Sequence, residues 1–275
     1  MKTLFRLLLI SIGITIFTSC EKEITVDIPD NNSKIVISCH LGVGDSISAK
    51  VSASIPLYEL STGENKPITN ATIKISTDNS NWMTLDYESN QQIYFLSKNV
   101  HTILAGTTYF LSVSAPGYTT ITSEVTTPVY QPISPIISKI DTSTNEFGNF
   151  QVDVRFKFTD VLNQTNYYGA KAFIKANGLL YELNNYNEKS WVFSDKLSDG
   201  KEFILNFSTS TVSSSDSIML RVFQTSESFY QFHYSLFNYS GESPFSEATP
   251  VYSNITNGLG IFSGYDYREY TFPLQ

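Results

Sequence analysis

Along residues 150–159 the side chains alternate by twos: Val152, Val154, Phe156 and Phe158 are apolar, while Asp153, Arg155 and Lys157 between them are charged. Successive side chains of a strand point to opposite faces, so this period of two specifies an extended segment with one dry face and one wet face. Tyr109, Leu111 and Val113 repeat the pattern. Short runs of strand character fall at 34–41, 46–57, 71–77, 82–87, 92–97, 107–115 and 119–126. A second set falls at 136–143, 150–159, 167–176, 179–183, 189–193, 203–208 and 217–224. Short strands separated by turn residues at roughly 8–12-residue spacing are the pattern of a β-sandwich. The chain therefore reads as all-β.

Between the two sets lie Pro128, Pro132 and Pro135, which exclude a helix or a central strand over 127–135. A boundary placed there gives two tandem β-sandwich domains. The N-terminal one, 34–129, is immunoglobulin-like; the C-terminal one, 130–275, is fibronectin- or immunoglobulin-like. One segment departs from the β pattern. Over 226–238, Phe229, Phe232, His233 and Leu236 recur at helical spacing, Ser226 can cap the start and Ser240-Gly241 can stop it, which predicts one short helix. Asp78-Asn79-Ser80-Asn81 lacks the glycine and glutamate of a calcium loop and reads as a tight hairpin turn.

At the N-terminus, Lys2 and Arg6 precede an apolar stretch from Leu7 to Phe17. Thr18-Ser19 then lead into Cys20 and the polar Glu21-Lys22-Glu23. The stretch is shorter than the about 20 residues of a spanning helix, so residues 1–19 read as an export signal. The segment resembles the lipobox of bacterial lipoproteins. That resemblance implies cleavage before Cys20, lipidation of Cys20 and attachment to the membrane through its acyl chains, with 20–33 as a tether. Removing the signal takes away Lys2 and Arg6 and carries the formal charge from −8 to −10. So acidic a chain is unsuited to nucleic acid, whose phosphates are held by Lys and Arg, or to a basic grip on anionic lipid.

Candidate chemistry is sparse. With Cys20 lipidated, Cys39 has no partner and reads as a small buried thiol. His40 beside it points to the other face of the strand. His40, His101 and His233 stand in no HExxH or GxSxG frame, and the sequence contains no CxxC, so no catalytic residue, metal ligand or cofactor is assigned. Asp153, Asp160, Glu182 and Asp195 read as a solvated face rather than a glycosidase pair. The 17 Tyr and 19 Phe provide amphipathic surfaces that can stack on a glycan or peptide ligand. Tyr186, in the loop Asn184-Asn185-Tyr186-Asn187, and Tyr265 and Tyr267, in the loop Gly264-Tyr265-Asp266-Tyr267, are the ligand-binding candidates. Asp45-Ser46-Ile47 and Asp216-Ser217-Ile218 resemble O-glycosylation tripeptides of exported Bacteroidota proteins.

The order of several pieces resembles a family of domain-of-unknown-function envelope lipoproteins of Bacteroidota, encoded near TonB-dependent outer-membrane receptors. The pieces are Cys20-Glu21-Lys22-Glu23-Ile24, the stretches 67–73 and 105–113, and Phe158-Thr159-Asp160 with Asn166-Tyr167-Tyr168. Phe193-Ser194-Asp195 with Gly200-Lys201 follows, and then the stretch 251–262 containing Asn254, Gly258, Gly260 and Phe262. Those last four read as structural, because glycine permits positive φ and asparagine bonds backbone in turns. The resemblance implies an outer-membrane lipoprotein. The expected function is a non-catalytic binding or accessory module working with a TonB-dependent receptor in nutrient uptake. The alternative is a structural or adhesive surface spacer.

Overall fold

The computed structural model describes residues 33–55, 66–144, 150–176, 178–185, 190–209, 217–239 and 250–273. The lipidation cysteine Cys20 and the ligand candidate Tyr186 lie outside them. The first half begins with β1 (Ile35–Gly42), whose Ile35, Ile37, Cys39 and Leu41 are buried along one face. It continues through β2 (Ile47–Ala53), β3 (Lys66–Pro67), β4 (Thr72–Ser76), β5 (Met83–Glu88), β6 (Ile93–Leu96), β7 (Thr108–Ser114) and β8 (Ile121–Thr126). These pair in the order β1-β2-β6-β5-β4-β7-β8, with β3 also on β2. Ile73 and Ile75 of β4, Leu111 and Val113 of β7 and Ile121 of β8 meet the β1 row in a single core.

The second half contains β9 (Ile136–Thr144), β10 (Phe150–Thr159), β11 (Tyr167–Ala176), β12 (Leu179–Glu182), β13 (Asn184–Asn185), β14 (Val192–Ser194), β15 (Glu202–Thr209), β16 (Ser217–Thr225), helix α1 (Glu227–Phe237) and β17 (Leu259–Pro273). One layer is β13-β15-β10-β9; β12-β11-β16-β17, with β14 also on β11, belongs to the other sheet. The alternating residues of β10 are buried as the period requires, and they share a core with Tyr168, Ala170, Ala172 and Ile174 of β11 and with Ile218, Leu220 and Val222 of β16. β16 is buried on both faces along most of its length, with Ile218, Leu220 and Val222 on one and Met219 and Phe223 on the other, where Arg221 interrupts the row. Its Phe223 is covered by Trp191, which also meets Phe229 of α1. Such two-sided burial gives a near-continuous apolar run instead of alternation.

Helix α1 starts as its sequence predicts, with Ser226 Oγ accepting from Phe229 N at 3.3 Å. It ends at Asn238, whose backbone and side-chain nitrogens donate to Tyr234 O. The Ser240-Gly241 stop lies outside the described residues. The Asp78 turn also forms: Asp78 Oδ1 accepts from Ser80 N, Asn81 N and Ser76 Oγ, and Oδ2 from Asn81 Nδ2.

The division at 129/130 needs correction. Two cores exist, but strands from both sides of that point share one thirteen-stranded sheet. The first half of β17 pairs in parallel with β1, from Val36↔Leu259 to Gly42↔Tyr265. From Tyr265 onward β17 runs antiparallel to β16. Ile255 and Phe262 are buried in the first core, while Tyr270 and Phe272 pack on the second. A strand of 15 residues is long enough to serve both. No turn joins β17 to β1, so no local signal announces their pairing. The proline segment is likewise held: Thr127 is buried, and Gln131 and Gln224 exchange two hydrogen bonds of 2.6 Å.

Candidate functional site

On the outer face of the β4-β7-β8 portion lies an open groove of about 600 Å³, lined by Asn79, Trp82, Phe110, Leu111, Ser112, Thr122, Ser123, Glu124, Asn254 and Thr256. Register builds its floor. Phe110 lies opposite Glu124, and Ser112 opposite Thr122, so alternate residues of two neighbouring strands face the groove together. Trp82 belongs to the lining. It leaves the Asp78 turn directly ahead of β5 and is 36% exposed, the more open of two large aromatic walls. Hydrogen bonds from two backbone amides and two side chains hold the Asp78 carboxyl well below the usual carboxylate range. The turn thus orders the backbone up to Asn81, directly ahead of Trp82. In the sequence Trp82 stands at the head of a strand with no functional signal, because an exposed tryptophan looks the same there as a buried one.

Tyr265 and Tyr267 are not in a loop. Both belong to β17, two residues apart and therefore on one face. Tyr265 packs against Phe223 and Phe229, and Tyr267 against Phe223 and the Arg221 guanidinium. They form part of a seam under α1 that also contains His40, Trp191 and His233, with the two imidazoles stacked at 5.5 Å. Burial lowers both histidines to about 4, and for His233 the charges of His40 and Lys171 add to it. Both are neutral at pH 7. His40 Nδ1 lies 2.6 Å from Ser263 Oγ, its cross-strand partner. A serine and a histidine at that distance can form a nucleophile and base, yet Ser263 is fully buried, out of reach of a substrate carbonyl. His101 contacts Tyr109 OH at 3.3 Å. Cys39 is buried opposite His40, and desolvation pushes its thiol up to about 12.

Asp160 and Asp195 are not part of a solvated face. They are 5% and 2% exposed, and with Asp199 they bring carboxylate oxygens within 4.8 Å of one another. Their oxygens are already used. Asp160 accepts from Tyr168 OH, Asn166 Nδ2 and Gly200 N, and Asp195 from Asn166 N and Nδ2. Burial raises the Asp195 pKa; the Asn166 amide opposes this and neighbouring Asp160 adds to it. The pieces Asp160, Asn166-Tyr167-Tyr168, Asp195 and Gly200-Lys201 thus converge on one knot that ties the loop before β11 to the loop before β15. Donors filling the carboxylates make it a structural tie rather than an open cation seat.

The residues of the last piece are likewise structural. Asn254 bonds the backbone of Phe262 through both ends of its side-chain amide, and Phe262 is fully buried. Gly260 has φ +110°, and a Cβ there would overlap the Ile37 carbonyl oxygen. At Gly258 it would stand 2.8 Å from Ile35 O. Both glycines let β17 approach β1 closely enough to pair.

A family model described as "Domain of unknown function (DUF4249)" matches residues 21–271. The chain belongs to this family. The matched span contains both cores, the knot and the groove, so they are features of this family member as a whole. No curated protein matches the chain. Among solved structures, it is similar to a chain of a cytokine receptor complex (crystal form 1A) at 8% identity and TM-score 0.25, covering 70% of this chain and 85% of that one. It is also similar to trypsin-activated alpha-2-macroglobulin from Escherichia coli at 7% identity and TM-score 0.22, covering 70% of this chain and 14% of that one.

Proposed function

We propose that this DUF4249 protein is a non-catalytic binding module of the bacterial cell envelope. In this reading it is lipidated at Cys20 and works with a TonB-dependent outer-membrane receptor in nutrient uptake. The observation that carries the reading is the groove lined by Trp82 and Phe110, an open surface on the outer face of β7 and β8. Rigid aromatic walls with a few polar groups are how binding sites fix a ligand at low entropic cost. The export-type start and the resemblance to receptor-linked lipoproteins of Bacteroidota support the address. Tyr265 and Tyr267 leave the ligand surface in this reading and become part of the seam.

The spacer reading draws on a different observation, the continuous sheet that runs through both cores. The two are separated by isolating the native lipoprotein from membranes and asking whether the receptor encoded beside it co-purifies. The binding module is expected to bring the receptor with it and, when deleted, to slow growth on one carbon or metal source. Wild-type growth on every source with no receptor association leaves the spacer. Cys20→Ala is expected to release the protein from the membrane fraction.

A further inference from the structure

We propose that the groove over β7 and β8 is a glycan-binding subsite that takes a neutral oligosaccharide, with Trp82 as its stacking platform. The proposal rests on the binding-module reading above and names its ligand class. The lining decides the chemistry. Glu124 is the charged residue of the lining, and Lys74, paired with Ser112 across β4 and β7, stands beside it on the same face. A phosphate or carboxylate ligand would therefore meet a like charge within the groove and a lysine only at its edge. A lipophilic ligand would leave the hydroxyls and amides of the floor facing hydrocarbon, which costs free energy for every group left unbonded.

A neutral sugar meets neither objection. One face of a pyranose ring is a patch of C–H groups that packs on an aromatic ring, and its rim is hydroxyls that exchange hydrogen bonds with amides, hydroxyls and carboxylates. Both kinds of partner are present. Trp82 and Phe110 supply ring faces. Asn79, Ser112, Thr122, Glu124 and Thr256 line the same groove with side chains whose polar atoms make no hydrogen bond to another described residue. Asn254 and Ser123 do not count among the free groups. The Asn254 amide is committed to Phe262, and Ser123 Oγ donates to Asn254 O at 2.8 Å. The cleft of about 600 Å³ lies within the roughly 300–1,000 Å³ of small-ligand sites. It is open to solvent.

The test titrates the purified full mature chain with linear neutral hexasaccharides: malto-, cello-, laminari-, manno-, xylo- and chito-oligosaccharides, plus a polygalacturonate oligomer as the acidic comparison. Binding is read by calorimetry and by tryptophan fluorescence. At least one neutral member is expected to bind, with Trp82→Ala weakening it roughly tenfold or more and Trp82→Phe retaining most of it. Ser112→Arg, which fills the groove from an outward-facing position and leaves Trp82 in place, is expected to block binding with an unchanged melting temperature. Absence of binding by every neutral member, equal binding by Trp82→Ala, or preference for the acidic oligomer would overturn the proposal. Receptor co-purification that persists in Trp82→Ala, with no oligosaccharide bound, would overturn the sugar assignment and leave the binding module standing. Loss of both would remove both.

Discussion

Asn254 and Phe262 are joined as if they were two residues of paired strands. Asn254 Oδ1 accepts from Phe262 N at 3.0 Å and its Nδ2 donates to Phe262 O at 2.7 Å. Opposed residues of an antiparallel ladder exchange the same two bonds, so one side-chain amide replaces a strand segment beside β17. Ser123 Oγ donates to the Asn254 carbonyl, and Thr256 bridges to Thr122. The stretch before β17 is thereby tied to β8, and the first core is enclosed at that edge.

Asn254→Ala is expected to lower stability by about 1–3 kcal/mol, the cost of leaving a partly buried donor and acceptor unpaired. Asn254→Asp separates geometry from size. It keeps the acceptor for Phe262 N but sets a carboxylate oxygen against Phe262 O, so it is expected to destabilise at least as much at neutral pH. Chemical denaturation midpoints check this; an Asp variant as stable as wild type would contradict the two-bond arrangement.

Gly260→Ala is expected to cost about 4 kcal/mol or more, the exceptional range for single substitutions, or to abolish folding. Its Cβ would collide with the Ile37 carbonyl and force β17 off β1. Gly44 supplies the control. It also has positive φ but open space where a Cβ would go, so Gly44→Ala is expected to cost only the backbone strain of about 1–2 kcal/mol. Equal effects at the two glycines would mean that conformation, not close approach, explains Gly260.

The period of two made the strands legible, and the caps made α1 and the Asp78 turn legible, because those signals act between residues close in sequence. What the sequence concealed is non-local. The pairing of Ile37 with Gly260 links the two ends of the chain, and the alternation of β17 is the same whichever neighbour it has. Asp160 and Asp195 read as solvated because nothing in their local segments reports that Asn166 meets both. Tyr265 and Tyr267 read as a loop because Gly264 and Asp266 are turn formers. In the fold Gly264 is buried, where a Cβ would stand 3.0 Å from the Thr127 backbone, and Asp266 is buried beside Arg268.

The shared strand predicts shared unfolding. A chain ending at residue 129 lacks Ile255, Phe262 and the β1 partner, so it is expected to remain unfolded. The full mature chain is expected to melt in one transition seen alike by calorimetry and near-ultraviolet dichroism. Cleavage within 127–135 under native conditions is expected to be slow, because Thr127 is buried and Gln131 is bonded to Gln224. A folded 20–129 fragment, or two separate melting transitions, would restore independent domains.

The last prediction concerns pH. His40 and His233 have folded pKa values lowered from 6.5 to about 4 by burial, so below pH 6.5 the unfolded chain binds protons that the folded chain refuses. Their contribution to stability is complete above about pH 6.5, declines as the pH falls and is lost near pH 4. For His40 the interval corresponds to about 3 kcal/mol; His233 is more open, and solvent screening reduces its share. Lys171 and the neighbouring imidazole both oppose charging of His233, which keeps the two rings from protonating together. Asp195 runs the other way. Its raised pKa gives stability that is present at low pH and lost as the pH rises through its folded value, so it softens the acid loss without reversing it. Melting temperatures measured from about pH 8 down to about pH 4 are expected to fall once the pH drops below about 6.5. His40→Gln, which keeps a hydrogen-bonding group toward Ser263 but cannot charge, is expected to flatten that fall. Parallel curves for the two proteins would show that the seam does not govern the acid response.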